Sequence, residues 1–480
     1  MVTVLAYDLG ASNGRLTAQT YDGSKLKMTE LYRFSNEPLA RGTHFYWDYE
    51  QLVKALHKGL DIAASHSARS LGVDTWGVDF GLLTTEGKLL QNPFSYRDTF
   101  SAPFVQKVQQ IVSHYELYRR TGNEISSINT LFQLMAMDVQ YEELLNQAGH
   151  ILMMPNLLAN ALTGETINEL TIASTTQLLN LQSKNWDQEL VEQLFHKQLP
   201  LSAIGETHHF IGPVRSYPTI QMALVPGHDT ACALSALPID EPHSIFISLG
   251  TWGVIGMELN EPVVSIEAYQ RGFTNEATSE RTIRFQKNAT GFWILQKLRK
   301  EWQTETLTFE EEAQAYEQSP AFKAIINPES PQFFNPVSMQ KAINDFCQQS
   351  NQQAPMTKGE MIRCFSESLA LHYALVIEEL EQLTGQHSDV INIGGGGTQN
   401  ELLCQLIANA TNKRVITGPI EASSIGNGLS QLRALGEITS LAQGRALVKA
   451  SFSVKEYEPE QVEFWQTMKA NYQHILGEEL

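Results

Sequence analysis

Cysteine is scarce in this chain. The four residues Cys232, Cys347, Cys364 and Cys404 lie far apart and form no CxxC pair. That spacing excludes a disulfide framework and a thiolate zinc site, and it fits buried, reduced thiols. No HExxH or paired His/Cys spacing occurs, so no protein-caged metal is expected, and His208-His209 reads as a solvated loop pair. Positive charge is also short, with 34 Lys+Arg against 53 Asp+Glu and a net charge of -19. This balance argues against nucleic acid or an anionic membrane surface as partner. No run approaches the roughly 18 consecutive apolar residues of a membrane helix. The first residues lack the basic and apolar regions of a signal peptide. A cytoplasmic, non-membrane protein is therefore expected. Nothing in the chain marks a polymerising surface or fixes an oligomeric state.

What is present is enough apolar residue, 42% of 480, for two or three folded domains. The stretch VLAYDLGASNGRLTAQTYDG, residues 4–23, runs apolar to Asp8, breaks at Gly10, and continues as a half-polar alternating segment to Asp22-Gly23. A strand, a glycine turn and a second strand make a hairpin, not the strand-to-helix turn of a P-loop. Its tip is either a plain turn or a cradle of backbone N–H groups for phosphate. The pattern recurs at VDTWGVDFGLLTTEGKLL, residues 73–90, and at SIFISLGTWGVIGMELN, residues 244–260. Asp8 to Ser12 can be laid over Ser248 to Trp252, an offset of 248 − 8 = 240. The offset suggests two similar halves, each presenting a hairpin to a shared cleft.

Helical spacing covers Glu50 to Ala64, much of 100–200, and Met361 to Leu383 up to Gly385. Strands alternating with helices predict α/β layers with partly parallel sheets. A domain change is placed at 238–245, around Pro238 and Pro242, dividing the chain into 1–240 and 241–480. The tract 303–358, rich in Gln, Pro and Asn, reads as a surface excursion.

Two further stretches carry candidate chemistry. In VINIGGGGTQNELLCQLIANATNKRVI, residues 390–416, a strand runs through Gly394 to Gly397 into a helix with Thr398 or Asn400 near its cap. Four glycines in succession cost backbone entropy, and they allow close approach of an anionic ligand or form a tight turn. In LVPGHDTACALSAL, residues 224–237, Asp229 is either a base at a strand's carboxyl end or, like Thr230, an N-cap. Trp76 reads as core before ligand platform, and Trp252 and Trp293 as packing residues. Arg97 and Asp98 either reach a ligand or pair with each other.

Eight blocks occur in order: DLGASNGR, LGVDTWGVDF, YRD, GHDTA, SLGTW, KNATGFWILQ, IGGGGTQNELL and EASSIGNGLSQL. The series resembles the FGGY carbohydrate kinases from about residue 4 to 436, although the string Phe-Gly-Gly-Tyr is absent. The resemblance implies two actin-like, ribonuclease-H-like α/β domains flanking a central catalytic cleft. Residues 1–240 would form the sugar-binding domain with the phosphate hairpin and catalytic Asp, and 241–480 the nucleotide-binding domain. It implies transfer of the ATP γ-phosphoryl group to a ketose, L-rhamnulose, giving L-rhamnulose 1-phosphate. By motif, Asp229 would accept the proton, with Gly77, His228, Thr230 and Asn288 on the sugar. Ala11, Ser12, Asn13, Gly14 and Arg15 would cradle phosphates. Thr251, Gln296 and Gly396 would hold ATP, with Gly395, Gly397 and Asn400 beside them. Asp8 is suited to hold Mg²⁺ through water. Rival readings are a kinase for L-fuculose or L-xylulose and, from a different class, an actin-like or chaperone-type ATPase.

Overall fold

The computed structural model describes residues 1–303 and 307–478. These divide into two compact units, Met1–Ala236 with Glu258–Phe285 and Glu421–Ser451, and Leu237–Met257 with Gln286–Ile420 and Phe452–Leu480. The chain thus crosses between units several times. Among the described residues no helix is long and apolar enough to cross a membrane.

The first unit is built on a six-stranded sheet of β1 (Val2–Leu9), β2 (Asn13–Tyr21), β3 (Leu26–Ser35), β4 (Ser70–Thr75), β5 (His209–Val214) and β6 (Tyr217–Leu224), in the order β5-β6-β4-β1-β2-β3. β1 and β4 are parallel central strands, buried almost throughout, as their apolar runs require. The hairpin expected at residues 4–23 is present, β1 pairing antiparallel with β2. The segment 73–90 differs. β4 joins the main sheet, whereas strand Phe80–Leu83 leaves it to pair with His150–Met153. Val78, at φ +66°, redirects the chain between them. The exit strand is closed by a turn at Glu86-Gly87, where Gly87 N–H donates to Thr84 O at 2.9 Å and Thr84 N–H to Lys88 O at 2.8 Å.

α1 (Tyr49–Ala63) starts at Asp48, whose carboxylate accepts from Gln51 N–H. It buries Leu52, Leu56, Leu60 and Ala63 against Leu5, Tyr7 and Leu16 of the sheet. A second core gathers the helical region 100–195, around Phe104, Leu117, Phe132 and Leu190.

Helix Ala422–Ala434 completes this unit although it lies late in the chain. Its Ser424, Asn427 and Gln431 are buried and hydrogen-bonded to β1 and β4. The approach is close because glycines permit it. A Cβ on Gly426 would lie 1.8 Å from Cys232 O, and one on Gly428 2.0 Å from Gln19 Oε1.

In the second unit β7 (Ile245–Leu249), β8 (Trp252–Leu259), β9 (Val390–Gly394), β10 (Arg414–Thr417) and β11 (Glu456–Tyr457) lie in the order β8-β7-β9-β10-β11. β7 forms an antiparallel hairpin with β8 and a parallel pair with β9, as β1 does with β2 and β4. The internal repeat read from the sequence is therefore a repeat of topology. The long helix Lys358–Thr384 begins in a Thr357/Glu360 capping box and ends at Gly385, φ +63°. The tract 303–358 is more than a surface excursion. Helix Met339–Gln349 buries Met339, Ile343 and Phe346 at helical spacing.

Gly426→Val should lower stability by about 1–3 kcal/mol, because the new side chain meets the Cys232 backbone, which has little room to retreat. Urea unfolding checks this, and a midpoint equal to wild type would show that the helix can slide away at no cost.

Candidate active site

In the first unit, register places two candidate groups, Asp8 and Arg15, in one row with a further acid, Asp74. Asp8 on β1 lies opposite Arg15 on β2 and beside Asp74 on β4. Directly paired residues project from the same sheet face. Past the end of β6 the pairing continues, because Thr75 N–H donates to Gly227 O at 2.9 Å and His228 bridges Thr75. Asp229 follows at the carboxyl ends of the strands, as the first residue of α2 (Asp229–Ser235).

The N-cap alternative does not hold, since His228 occupies that position and no side chain caps the helix. Thr230 instead donates its hydroxyl to Asp229 Oδ1 at 3.1 Å, and the Asp229 side chain is 30% exposed. The GHDT turn is held from below by buried Glu169, whose Oε2 accepts from the N–H groups of Gly227 (2.7 Å), Thr171 and Ile172.

Burial pushes the Asp8 carboxyl above the usual range, opposed by Arg15 and by the Ser424 hydroxyl at 2.8 Å. Asp74 is raised further, by burial and by Asp8 beside it, and accepts from Asn427 Nδ2 at 2.7 Å. Arg15 stands 3.7 Å from Asp8 and also pairs with Glu421. Its charge therefore already serves two carboxylates.

The hairpin tip carries Ala11 to Gly14. It is closed by Gly10 N–H to Asn13 O and braced by Asn36, which donates to Gly10 O at 2.8 Å. Arg97 donates to Ala11 O at 3.1 Å and reaches Ser12 Oγ at 3.4 Å. Asp98 accepts instead from the Phe45 and Phe100 N–H groups, so Arg97 and Asp98 do not pair. Gly14 is required by packing, since a Cβ there would lie 2.3 Å from the Phe34 ring.

Gly77 sits in the next turn, half-buried against Thr175. The adjoining Val78 has its N–H bound to Thr175 Oγ1 at 3.0 Å and its carbonyl to Thr130 Oγ1 at 2.5 Å. A β-branched residue at positive φ is strained and persists only where its surroundings fix it. Trp76 is core, its ring tilted 41° against Trp47 with centroids 4.1 Å apart, and its indole N–H donates to Asp79. His208 is not a solvated loop residue but is largely buried, with Nδ1 2.8 Å from Ser430 Oγ.

Among the residues the motifs missed are Glu276 and Arg284. Glu276 Oε2 lies 3.1 Å from His228 Nδ1, and Arg284, fully buried, pairs with the same oxygen. Burial alone would push Glu276 up, but the guanidinium and the imidazole outweigh it and hold the carboxyl at about 2. An acidic and a basic residue eight apart on neighbouring apolar segments were the only signal in the sequence.

In the second unit, Thr251 forms the tip between β7 and β8. Gln296, on helix Trp293–Glu301, donates to its Oγ1 at 3.2 Å. The helix starts against the tip, with Trp293 N–H on Thr251 O at 3.1 Å. The turn after β9 lies alongside β7. Gly395, φ +89°, and Gly397 both face Leu249, whereas a Cβ on Gly396 would meet nothing within 4 Å. Asn400 is buried and caps helix Glu401–Thr411, its Oδ1 accepting from Leu403 N–H at 2.9 Å. Asn288 is exposed on strand Ile283–Thr290 and makes no side-chain hydrogen bond to the other candidates among the described residues. Trp252 is half exposed, face to face with Trp293 at 6.3 Å, and so is only partly a packing residue.

Residues 3–233 match the N-terminal domain of the FGGY family of carbohydrate kinases, and residues 245–435 its C-terminal domain. The chain is 35% identical to a rhamnulokinase of Bacteroides thetaiotaomicron, over 98% of this chain and 99% of that one. It is 37% identical to a rhamnulokinase of Halalkalibacterium halodurans, over 94% and 98%. Among solved structures, a xylulose kinase from Lactobacillus acidophilus superposes with a TM-score of 0.80 at 16% identity, covering 99% of this chain and 98% of that one. Plasmodium falciparum glycerol kinase with ADP gives 0.78 at 14%, covering 100% and 98%. These two share the fold.

The depressed Glu276 carboxyl has a consequence for acid stability. A carboxyl near 2 when folded and near 4.5 when unfolded adds stability that is complete above about pH 4.5 and is lost as pH falls toward 2. Glu276→Gln should therefore be less stable than wild type by about 3 kcal/mol at pH 7, with the gap narrowing below pH 4.5. Urea unfolding from pH 7 to 3 checks this, and a gap constant with pH would remove the charge-pair explanation.

Proposed function

Because the chain belongs to the FGGY family of carbohydrate kinases, we propose that it transfers the γ-phosphoryl group of ATP to L-rhamnulose, giving L-rhamnulose 1-phosphate. The observation that carries this reading is Asp229, a partly exposed carboxylate at the strand ends with Thr230 on one oxygen and His228 beside it. The naming of relatives as rhamnulokinases supports the choice of ketose.

Phosphoryl transfer needs little covalent help from a protein, and positioning with charge neutralisation supplies most of the catalysis. Asp229 accepts the proton of the attacking hydroxyl. Thr230 occupies Oδ1 and so leaves Oδ2 to receive it. His228, Thr230, Gly77 and Asn288 contact the sugar. Glu169 on Gly227 N–H and Thr171 on His228 N–H hold the GHDT turn, and Thr175 packs beside Gly77.

The phosphates are assigned to the backbone N–H groups of Ala11, Ser12, Asn13 and Gly14, with Arg15 behind them. The nucleotide is assigned to Thr251, Gln296, Gly395, Gly396, Gly397 and Asn400. Packing or conformation accounts for Gly395 and Gly397, but not for Gly396, which opens onto free space. Residues 1–240 then carry the ketose chemistry and 241–480 most of the nucleotide contacts, and the reaction belongs in the cytoplasm.

Mg²⁺ fits Asp8. The carboxylate is 7% exposed, and its charge is disfavoured by burial, a cost that a nearby dication offsets. Among the described residues no group of three side chains could cage a metal, which suits an ion held mainly by phosphates and water. Held by Asp8 through water, it would supply neutralisation of the phosphate charge.

Asp229→Asn should fold normally, bind ATP and lose roughly two to four powers of ten in turnover. A coupled ADP-release assay with L-rhamnulose, L-fuculose and L-xylulose reads this. Near-normal turnover of the variant would remove Asp229 as base, and faster wild-type turnover of L-fuculose would displace L-rhamnulose. Gly396→Val should raise the KM for ATP about tenfold or more with the KM for ketose and the Tm little changed. Equal rises in both constants would return the glycine to a purely structural turn.

A further inference from the structure

Arg15, Arg33 and Arg97 all stand at the hairpin tip of the first unit, and they differ in which other groups they serve. Arg33 donates to Asn13 Oδ1 at 3.2 Å, but both oxygens of Glu30 hold its Nε and Nη2. Arg15 faces Asp8 at 3.7 Å and pairs with Glu421. Even with Asp8 neutralised by a dication, Glu421 cancels the Arg15 charge.

Arg97 carries no such load. Its Nη2 donates to Ala11 O at 3.1 Å and reaches Ser12 Oγ at 3.4 Å, both neutral acceptors. Glu37 stands 3.8 Å from Nη1 and is 68% exposed, so water screens that pair. Neither contact cancels the guanidinium charge. The group also lies 5.9 Å from the centre of the Tyr96 ring. Burial pushes the Tyr96 phenol up, Arg97 opposes this, and the charges of Asp79 and Asp229 add to it. One phenol therefore senses both Arg97 and the proposed base.

In the proposed reaction the ketose oxygen bonds to the γ-phosphorus while the bond to the β,γ-bridging oxygen breaks. ADP leaves with that electron pair, and the hydroxyl proton passes to Asp229. Negative charge then lies on the three outer oxygens of the phosphoryl group in transit, where a fixed guanidinium stabilises it most. We propose that Arg97 is this group, held on the tip through Nη2 and contacting the γ-phosphoryl oxygens through Nη1 during transfer. Arg97 is then a catalytic residue, whereas Arg15 balances Asp8 and Glu421. The inference rests on the reading of residues 11–14 as phosphate cradle and Asp229 as base.

Arg97→Met keeps the apolar stem and removes the charge. It should lower kcat with L-rhamnulose by about two to three powers of ten and raise the KM for ATP no more than about threefold. The Tm should stay at the wild-type value. Arg15→Met should instead lower the Tm, because Asp8 and Glu421 lose their cation. Arg97→Ala leaves room for a small cation, so guanidinium chloride at non-denaturing concentration should restore part of its kcat saturably, and sodium chloride should not. A brace with no part in the chemistry would move the KM for ATP and the Tm. A kcat within about threefold of wild type, a loss carried by the KM for ATP, or no rescue by guanidinium would therefore overturn the inference. Failure of the wild type to phosphorylate any ketose falls instead on the kinase reading. Slow hydrolysis of ATP by that wild type, unchanged in Arg97→Met, would overturn the role of Arg97 as well.

Discussion

Two carboxylates buried side by side at the ends of parallel strands set the terms for the first unit. Asp8 and Asp74 are adjacent in register and nearly without solvent. A buried polar group without a partner costs more than a paired one returns, and a buried charge costs more still. Helix Ala422–Ala434 meets that demand with Ser424 on Asp8 and Asn427 on Asp74, while Gln431 ties both strands through Leu5 O and Ser70 Oγ. These bonds need the helix close to the sheet, and closeness explains its small residues. A Cβ on Gly72 would lie 2.4 Å from Asn427 Oδ1, and Gly426 and Gly428 face equally tight neighbours. Glu421, one residue before the helix, then reaches Arg15. Fold and site are thus one polar construction.

The proposed site residues sit on turns that the scaffold holds by hydrogen bonds. Asp229 is carried by a turn whose backbone is bound by Glu169, and the hairpin tip at 10–14 is braced by Asn36, Arg33 and Arg97. The second unit repeats the device, its tip at Thr251 being pinned by the first turn of helix Trp293–Glu301. Tips fixed in this way keep their N–H groups oriented before a ligand arrives. That is the condition for electrostatic stabilisation without reorganisation.

Much of this was legible in the chain. Apolar runs ending at Asp8 and Leu249, glycine turns and the long helix ending at Gly385 rest on local rules, and the structure keeps them. The segment 73–90 was not legible as built. Its turn depends on Val78 at positive φ, stabilised by Thr130 and Thr175 from distant positions, which no local pattern announces. His208 was misjudged and the Arg97–Asp98 pairing fails for the same reason, because the partners Ser430 and Ala11 are remote in sequence. Glu276 and Arg284 belong to no motif, and only folding shows that they meet His228. Local periodicity reports which face is buried, but not which polar groups will find each other inside.

The late position of helix Ala422–Ala434 also governs the order of assembly. A chain emerging from the ribosome presents β1 and β4 early, but the helix that covers Asp8 and Asp74 leaves only after residues 1–420. Until then the amino-terminal part exposes two strand-end carboxylates and the Cys232 backbone that Gly426 will cover. The first unit to be started is therefore among the last to be closed. Burial of these two carboxylates waits on nearly the whole message being translated, and a prematurely terminated chain lacks the helix that covers them.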